Sequence, residues 1–342
     1  MNIDLAALRT IQSQHGVSVG DMLTTIAGAL LASYREYNSM DADGMIADNA
    51  QENTKARVDI NADTGDVAVI VTELDPDTGE VLSEYDDTPV NFGRQGARAV
   101  RDAIIRRLRE AEAERTFDSY SELNGRVVGG IVQRDVHANQ RGMVVVQLGT
   151  EFDSQDGVIL PAEQIPGEKL QHGDRVKAYV VGVNKSGANV QVNLSRTHPE
   201  LIRGLFELEV PEVGDGSVEI MSIAREAGHR SKVAVRGNAK GLNAKGACIG
   251  PKGARVNNVM RELAGEKIDI IDYNEDPAVY VGNALAPSKV IRVDIEDPEM
   301  QVARVTVPDY QLSLAIGKEG QNARLAARLT GWKIDIHSDT ED

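Results

Sequence analysis

The sequence predicts a multidomain α+β protein, on three observations across its 342 residues. One string of residues is written twice near the C-terminal end: ACIGPKGARVNNVMRELAGEKIDII from Ala247 and LAIGKEGQNARLAARLTGWKIDIHS from Leu314. Residues 121–196 break into five short apolar runs cut by Gly and Asp turns, the pattern of a small closed barrel that leaves no strand edge exposed. The first 120 residues mix helical spacing with strict alternation. At roughly one domain per 100–200 residues, the length allows two to four domains.

In chain order, residues 1–38 read as helical. Val19, Leu23, Ile26, Leu30 and Tyr34 recur at three and four, with Ser18 or Asp21 available to cap. Residues 40–54 are polar and Asp-rich and read as a loop. Residues 55–85 alternate around the turns Asp63-Thr64-Gly65-Asp66 and Asp75-Pro76-Asp77-Thr78-Gly79, as hairpins do. Gly93 to Arg115 is again helical, through Ala97, Val100, Ile104, Ile105 and Leu108, and reads as a long connector leaving an N-terminal α/β domain. The barrel strands are expected at Gly125–Val132, Met143–Leu148, Gly157–Leu160, Arg175–Val183 and Ala188–Leu194. Beyond them, Val218–Ala224 and Lys232–Val235 precede the first copy of the string. Lys289–Ile295 and Gln301–Val307 precede the second. Each half therefore runs strand, strand, Gly-x-x-Gly helix, strand, a tandem repeat of about 70 residues. The expected boundaries are 1–120, 121–196, 197–275 and 276–342.

Charge is uneven. The net charge is −16. Residues 1–120 hold 22 acids against 11 bases and residues 121–196 hold 8 against 8. From Ala227 to Arg261 there is no acid, yet there are eight bases: Arg230, Lys232, Arg236, Lys240, Lys245, Lys252, Arg255 and Arg261. A protein that holds a polyanion in one place without coating itself in it has this distribution. A solvated basic face is the plain alternative. No apolar run reaches the roughly 20 residues that span a bilayer. The N-terminus lacks the charged and apolar regions of a signal peptide, and the single Cys248 cannot form an internal disulfide. A cytoplasmic protein is expected, with no membrane association.

Gly-x-x-Gly alone decides nothing. With 32 glycines, chance gives roughly three such pairs; the chain has three, at Gly93/Gly96, Gly250/Gly253 and Gly317/Gly320. Only the last two follow an isoleucine and lead through a helix-like run to Lys-Ile-Asp-Ile. Gly93/Gly96 reads as a helix start or packing feature. Paired glycines let backbone approach a ligand closely, and the helix behind them points free N–H groups and a positive dipole end at the turn. That is a seat for phosphate. A P-loop requires Ser or Thr after Gly-Lys, and Glu319 stands there. What remains is the KH-type loop, which clamps about four nucleotides of single-stranded backbone against an apolar groove. Lys245, Ile249, Gly250, Pro251, Lys252, Gly253, Arg255, Ile268 and Ile270 would form the first site. Gly317, Lys318, Glu319, Gly320, Asn322 and Arg324 would form the second. For each isoleucine, plain core is the alternative. The first loop, with Lys252 and Arg255, should carry more of the salt-dependent affinity.

These residues carry a resemblance that covers nearly the whole chain. Ser195-Arg196-Thr197 with Pro199, LFELEVPE from Leu205, GACIG from Gly246, AGEKIDII from Ala264 and QLSLAIGKEGQNARLA from Gln311 resemble the NusA family of bacterial transcription factors. The resemblance implies an S1 barrel of the OB class followed by two tandem type II KH domains. It also implies docking of residues 1–120 on the RNA polymerase core near the RNA exit channel, a grip on single-stranded nascent RNA, and modulation of pausing, termination and antitermination. Other transcription factors would be further partners, and a monomer is expected. The barrel departs from many S1 domains in offering few aromatic residues, Phe152, Tyr179 and His137, so binding there is expected to be electrostatic, through Arg126, Arg134 and Arg141. Unliganded surface arginines are the alternative for each.

Catalysis has little support in the residues. Six scattered histidines and one cysteine do not make a metal cluster, and no nucleophile–base order stands out. No cofactor is implied. RNA-processing enzymes such as polynucleotide phosphorylase also carry KH and S1 modules, but behind large catalytic domains, and only about 120 residues precede the barrel here. A subunit of an RNA-processing or ribosome-associated complex is the second reading.

Overall fold

The computed structural model describes residues 2–39, 54–89, 92–150 and 153–340. The polar run at 40–53 and the aromatic Phe152 lie outside the described residues. The chain divides into two compact units, one of residues 1–119 with 185–190 and one of 120–184 with 191–342.

In the first unit the expected single helical stretch is two helices, α1 (Leu5–His15) and α2 (Val19–Ser39). Asp4 caps α1 by accepting from the Ala6 and Ala7 N–H groups, and Gly16 ends it with φ 68°. The Ser18 hydroxyl oxygen then accepts from the Asp21 N–H at 3.0 Å and restarts the chain. α2 buries Met22, Ile26, Leu30 and Tyr34. Opposite it, β1 (Thr54–Ile60), β2 (Val67–Leu74) and β3 (Val81–Asp86) form an antiparallel meander. Asn61 and Asp75 each hold their turn by accepting two N–H groups through the side chain. α3 (Phe92–Ser121) places Gly93 and Gly96 in its first turns and packs Val100, Ile104, Leu108 and Ala111 on this core.

The second unit begins with the barrel. β4 (Val127–Gln133), the one-turn α4 (Val136–Gln140), β5 (Val144–Thr150), β6 (Asp153–Ile159), β7 (Arg175–Ser186) and β8 (Asn189–Ser195) close in the order β4-β5-β6-β8-β7. The five expected strands are all present.

Two similar blocks follow. The first is α5 (Pro199–Glu209), α6 (Pro211–Gly214), β9 (Val218–Glu226), β10 (Arg230–Gly237), α7 (Ala244–Ile249), α8 (Ala254–Glu262) and β11 (Lys267–Asp272). The second is α9 (Pro277–Ala284), β12 (Arg292–Asp297), β13 (Val302–Val307), α10 (Leu312–Ile316), α11 (Gln321–Thr330) and β14 (Lys333–Ser338). In each sheet the first two strands are antiparallel and the last pairs in parallel with the middle one. The first sheet is buried on both faces, which its alternation explains. Val218, Ile220, Val233, Val235, Ile268 and Ile270 face α5, α7 and α8, while Ala224, Ala234 and Ile271 face Val281, Leu285, Leu325 and Leu329 of the second block.

Candidate nucleic-acid interface

Both Gly-x-x-Gly turns sit between two helices and have one backbone shape. Gly250 holds φ 73°, ψ 173°, Lys252 φ 53°, ψ 25° and Gly253 φ 78°, ψ 12°. Gly317 holds φ 78°, ψ 170°, Glu319 φ 54°, ψ 27° and Gly320 φ 72°, ψ 15°. At the first glycine of each turn the combination of positive φ with extended ψ is open essentially to glycine alone. Space forbids a side chain there too. A Cβ at Gly250 would lie 2.6 Å from Arg255 Cγ, and one at Gly317 would lie 2.8 Å from the Asn322 backbone nitrogen. The turn thus packs its leading glycine against the helix behind it and runs straight into α8 or α11, whose opening N–H groups have no partner within the helix. Pro251, at the start of the first turn, has no N–H to leave unpaired.

The fifth residue beyond each leading glycine does structural work. The Arg255 guanidinium, expected as a second phosphate cation, donates to the Ala247 carbonyl at 2.8 Å and to Glu212 at 2.9 Å. Asn322, expected as a ligand, is 1% exposed, and its amide donates to the Ala315 carbonyl at 2.9 Å and the Leu285 carbonyl at 3.0 Å. Each ties the helix before the turn to the helix after it.

The basic zone thins in the same way. Arg230 and Lys232 pair with Asp269, Arg236 with Glu219 and Arg255 with Glu212. Lys232 is fully buried, and burial pulls its pKa down despite Asp269. Lys240, Lys245, Lys252 and Arg261 have no ion-pair partner among the described residues, and Lys252 stands exposed at the tip of the first turn. In the second turn Lys318 and Glu319 are both exposed. Arg324 is held by Glu226 at 2.6 Å. Ile268 and Ile270 are core residues, 9% and 5% exposed, so the groove face is left to the half-buried Ile249. Cys248, beside the turn, is fully buried, and burial pushes its thiol up to about 11.

The barrel arginines are not brought together. Arg134 and Arg141 flank α4 on the β4–β5 connection, where Arg141 lines a cleft of about 420 Å³ with His137 and Asp156. Arg126 stands at the opposite end of β4, about 26 Å from Arg134 at the rise of a strand. Tyr179 is stacked on His198 at 4.3 Å between ring centroids, a contact within the protein.

Residues 196–273 match the family model for the NusA-like first KH domain, and residues 277–342 that for the NusA-like second KH domain. A Mycobacterium tuberculosis protein named transcription termination/antitermination protein NusA is 56% identical over 339 residues, covering 99% of this chain and 94% of the relative. The chain belongs to the NusA family. Bacillus subtilis NusA is 39% identical over 98% of this chain and 91% of its own length, and Thermus thermophilus NusA 36% over 97% and 88%. Against this family frame, the two helix–turn–helix blocks are NusA-type KH units. The partners of three residues escaped the sequence reading: those of Glu226, Arg196 and Lys232. Each works across a junction between parts of the chain, and neither local pattern nor repeat spacing encodes such a partner.

Proposed function

We propose that this protein is a transcription elongation factor that docks on RNA polymerase near the RNA exit channel through residues 1–120 and grips single-stranded nascent RNA, thereby modulating pausing, termination and antitermination. The functional parts are residues 1–120, an S1 barrel at 121–196 and KH domains at 197–275 and 276–342. One observation carries the RNA contact: two turns of the same positive-φ backbone shape, each opening a helix, with exposed Lys252, which has no ion-pair partner among the described residues, at the tip of the first. Gly250, Pro251, Lys252, Gly253, Lys245 and Ile249 make the first contact. Gly317, Lys318, Glu319 and Gly320 make the second, with Asn322, Arg255, Ile268 and Ile270 shaping the two from beneath. At about four nucleotides per KH turn the pair would follow roughly eight nucleotides. Tethering to the polymerase raises the local concentration of this surface at the exit channel, so modest RNA affinity suffices. The protein works as a cytoplasmic monomer with no catalytic step, and Arg126, Arg134 and Arg141 add electrostatic attraction from the barrel.

The test is cross-linking of the full chain in a paused transcription complex, mapped residue by residue. Nascent RNA on residues 245–255 and 317–324, with polymerase on residues 1–120, is the expected map. RNA confined to other surfaces would overturn the site. Co-sedimentation with ribosomes and not with polymerase would favour the ribosome-associated alternative.

A further inference from the structure

The second Gly-x-x-Gly turn is held from outside its own KH unit. Glu226 ends β9 of the first KH unit, and its side chain is 19% exposed. One carboxylate oxygen accepts from Arg324 Nε at 2.6 Å and the other from Gln321 Nε2 at 2.9 Å, with Arg328 Nη1 3.8 Å away. Gln321 is the first residue after the turn. Arg324 Nη1 reaches back to donate to the Glu319 carbonyl, inside the turn, at 3.2 Å. A chain of contacts therefore runs from the carboxylate of the first KH unit, through one guanidinium, to the backbone of the second turn. Among the described residues the first turn is braced from within its own KH unit, by Arg255, Glu212 and the Ala247 carbonyl. Ala254 and Asn257 stand there at the places of Gln321 and Arg324.

We propose that Glu226 is a positioning residue for RNA at the second turn, fixing Arg324 and Gln321 so that this turn takes a phosphate backbone only while the first KH unit is docked beside it. The inference rests on the RNA-binding reading above. The alternative role for the same carboxylate is competition, in which it occupies the cations that a phosphate would otherwise take. The two roles predict opposite signs.

The measurement is equilibrium binding of a fluorescent single-stranded RNA to the full chain. Lys252→Glu weakens the first turn, and on that background Lys318→Glu should lower the remaining salt-dependent binding further. With Lys252→Glu in place, Glu226→Ala should weaken binding about fivefold, and Glu226→Gln, whose amide oxygen still accepts from Arg324, should stay within about twofold of its parent. With Lys318→Glu in place instead, Glu226→Ala should leave binding at the first turn unchanged. Unchanged or tighter binding of Glu226→Ala on the Lys252→Glu background overturns the proposal, and tighter binding assigns competition. Equal weakening on both backgrounds overturns it in favour of a general folding role. Should Lys318→Glu itself change nothing, the second turn does not bind RNA and the reading falls together with the inference. Should Lys318→Glu act while Glu226→Ala does not, the inference alone fails.

Discussion

At Gly317 a methyl group would meet the backbone nitrogen of Asn322 at 2.8 Å, and φ 78° with ψ 170° is closed to other residues. Three residues on, Gly320 has φ 72° and ψ 15°, with nothing within 4 Å of its missing Cβ. The two glycines of one motif therefore do different jobs. Gly317→Ala should cost about 3 kcal/mol, because backbone must move as well as strain, and Gly320→Ala about 1 kcal/mol, the ordinary left-handed cost. Urea unfolding of both variants measures the gap, and equal losses would refute the distinction. Lys252 holds the position that Glu319 holds in the second turn, at φ 53° against 54°. Lys252→Glu should therefore fold normally while lowering RNA affinity and shallowing its salt dependence by about one counterion. Cys248 is silent by the same local logic. With its thiol pushed up to about 11, about one molecule in a thousand is thiolate at pH 8, and the sulfur is buried. A thiol reagent should label it only on unfolding, at the rate of unfolding. Rapid labelling of the native protein would contradict its burial.

Elements were legible where one face meets water or one core, and illegible where a residue answers to a second element. The five barrel strands and both repeats follow from apolar runs and turn residues alone. The apolar spacing continues across Gly16 and so reads as one helix; only the left-handed φ of that glycine and the Ser18 cap divide it. The same limit governs the site. The glycines and Lys252 are visible in the repeat, but the partners that hold Arg255, Ile268 and Ile270, namely Glu212 and the KH core, lie elsewhere in the fold. Tyr34 shows how such a partner sets chemistry. Packed on α2, it donates its hydroxyl to Asp87 just past β3, and burial first, then that hydrogen bond, pushes its pKa up to about 12. A raised pKa favours the protonated folded state. The stability it gives is whole below the ordinary tyrosine value and is lost as pH rises through about 12. Tyr34→Phe should flatten that alkaline loss in a pH series of urea midpoints. An unchanged alkaline slope would show that the tie contributes nothing.

Across the second unit, polar networks sit inside the first KH unit and where it meets the barrel and the second KH unit. Arg225 and Glu266 are 1% and 0% exposed within the first KH unit, and Glu266 also accepts from the Ser231 hydroxyl and the Gly228 N–H. Lys232 spans to the second KH unit by donating to the Ala286 carbonyl at 2.7 Å. Arg196 joins barrel to KH unit: it pairs with Glu168 of the barrel and with Glu262 at the end of α8, and donates to the Lys177 and Glu262 carbonyls. Such buried ions add little net stability while intact, because desolvation offsets their attraction, but removing one partner strands the others. Arg196→Ala leaves Glu168 and Glu262 without their cation and should cost about 3–5 kcal/mol. Because that loss falls on the junction, it should also uncouple the barrel from the KH pair. Calorimetry of the full chain should then show the shared transition of barrel and KH units split in two, with the barrel melting first. Arg196→Lys, which keeps the charge but not the five-donor fork, should recover only part of the coupling. If Arg196→Ala instead lowers one undivided transition, the network stabilises the unit as a whole and does not set how its parts are joined.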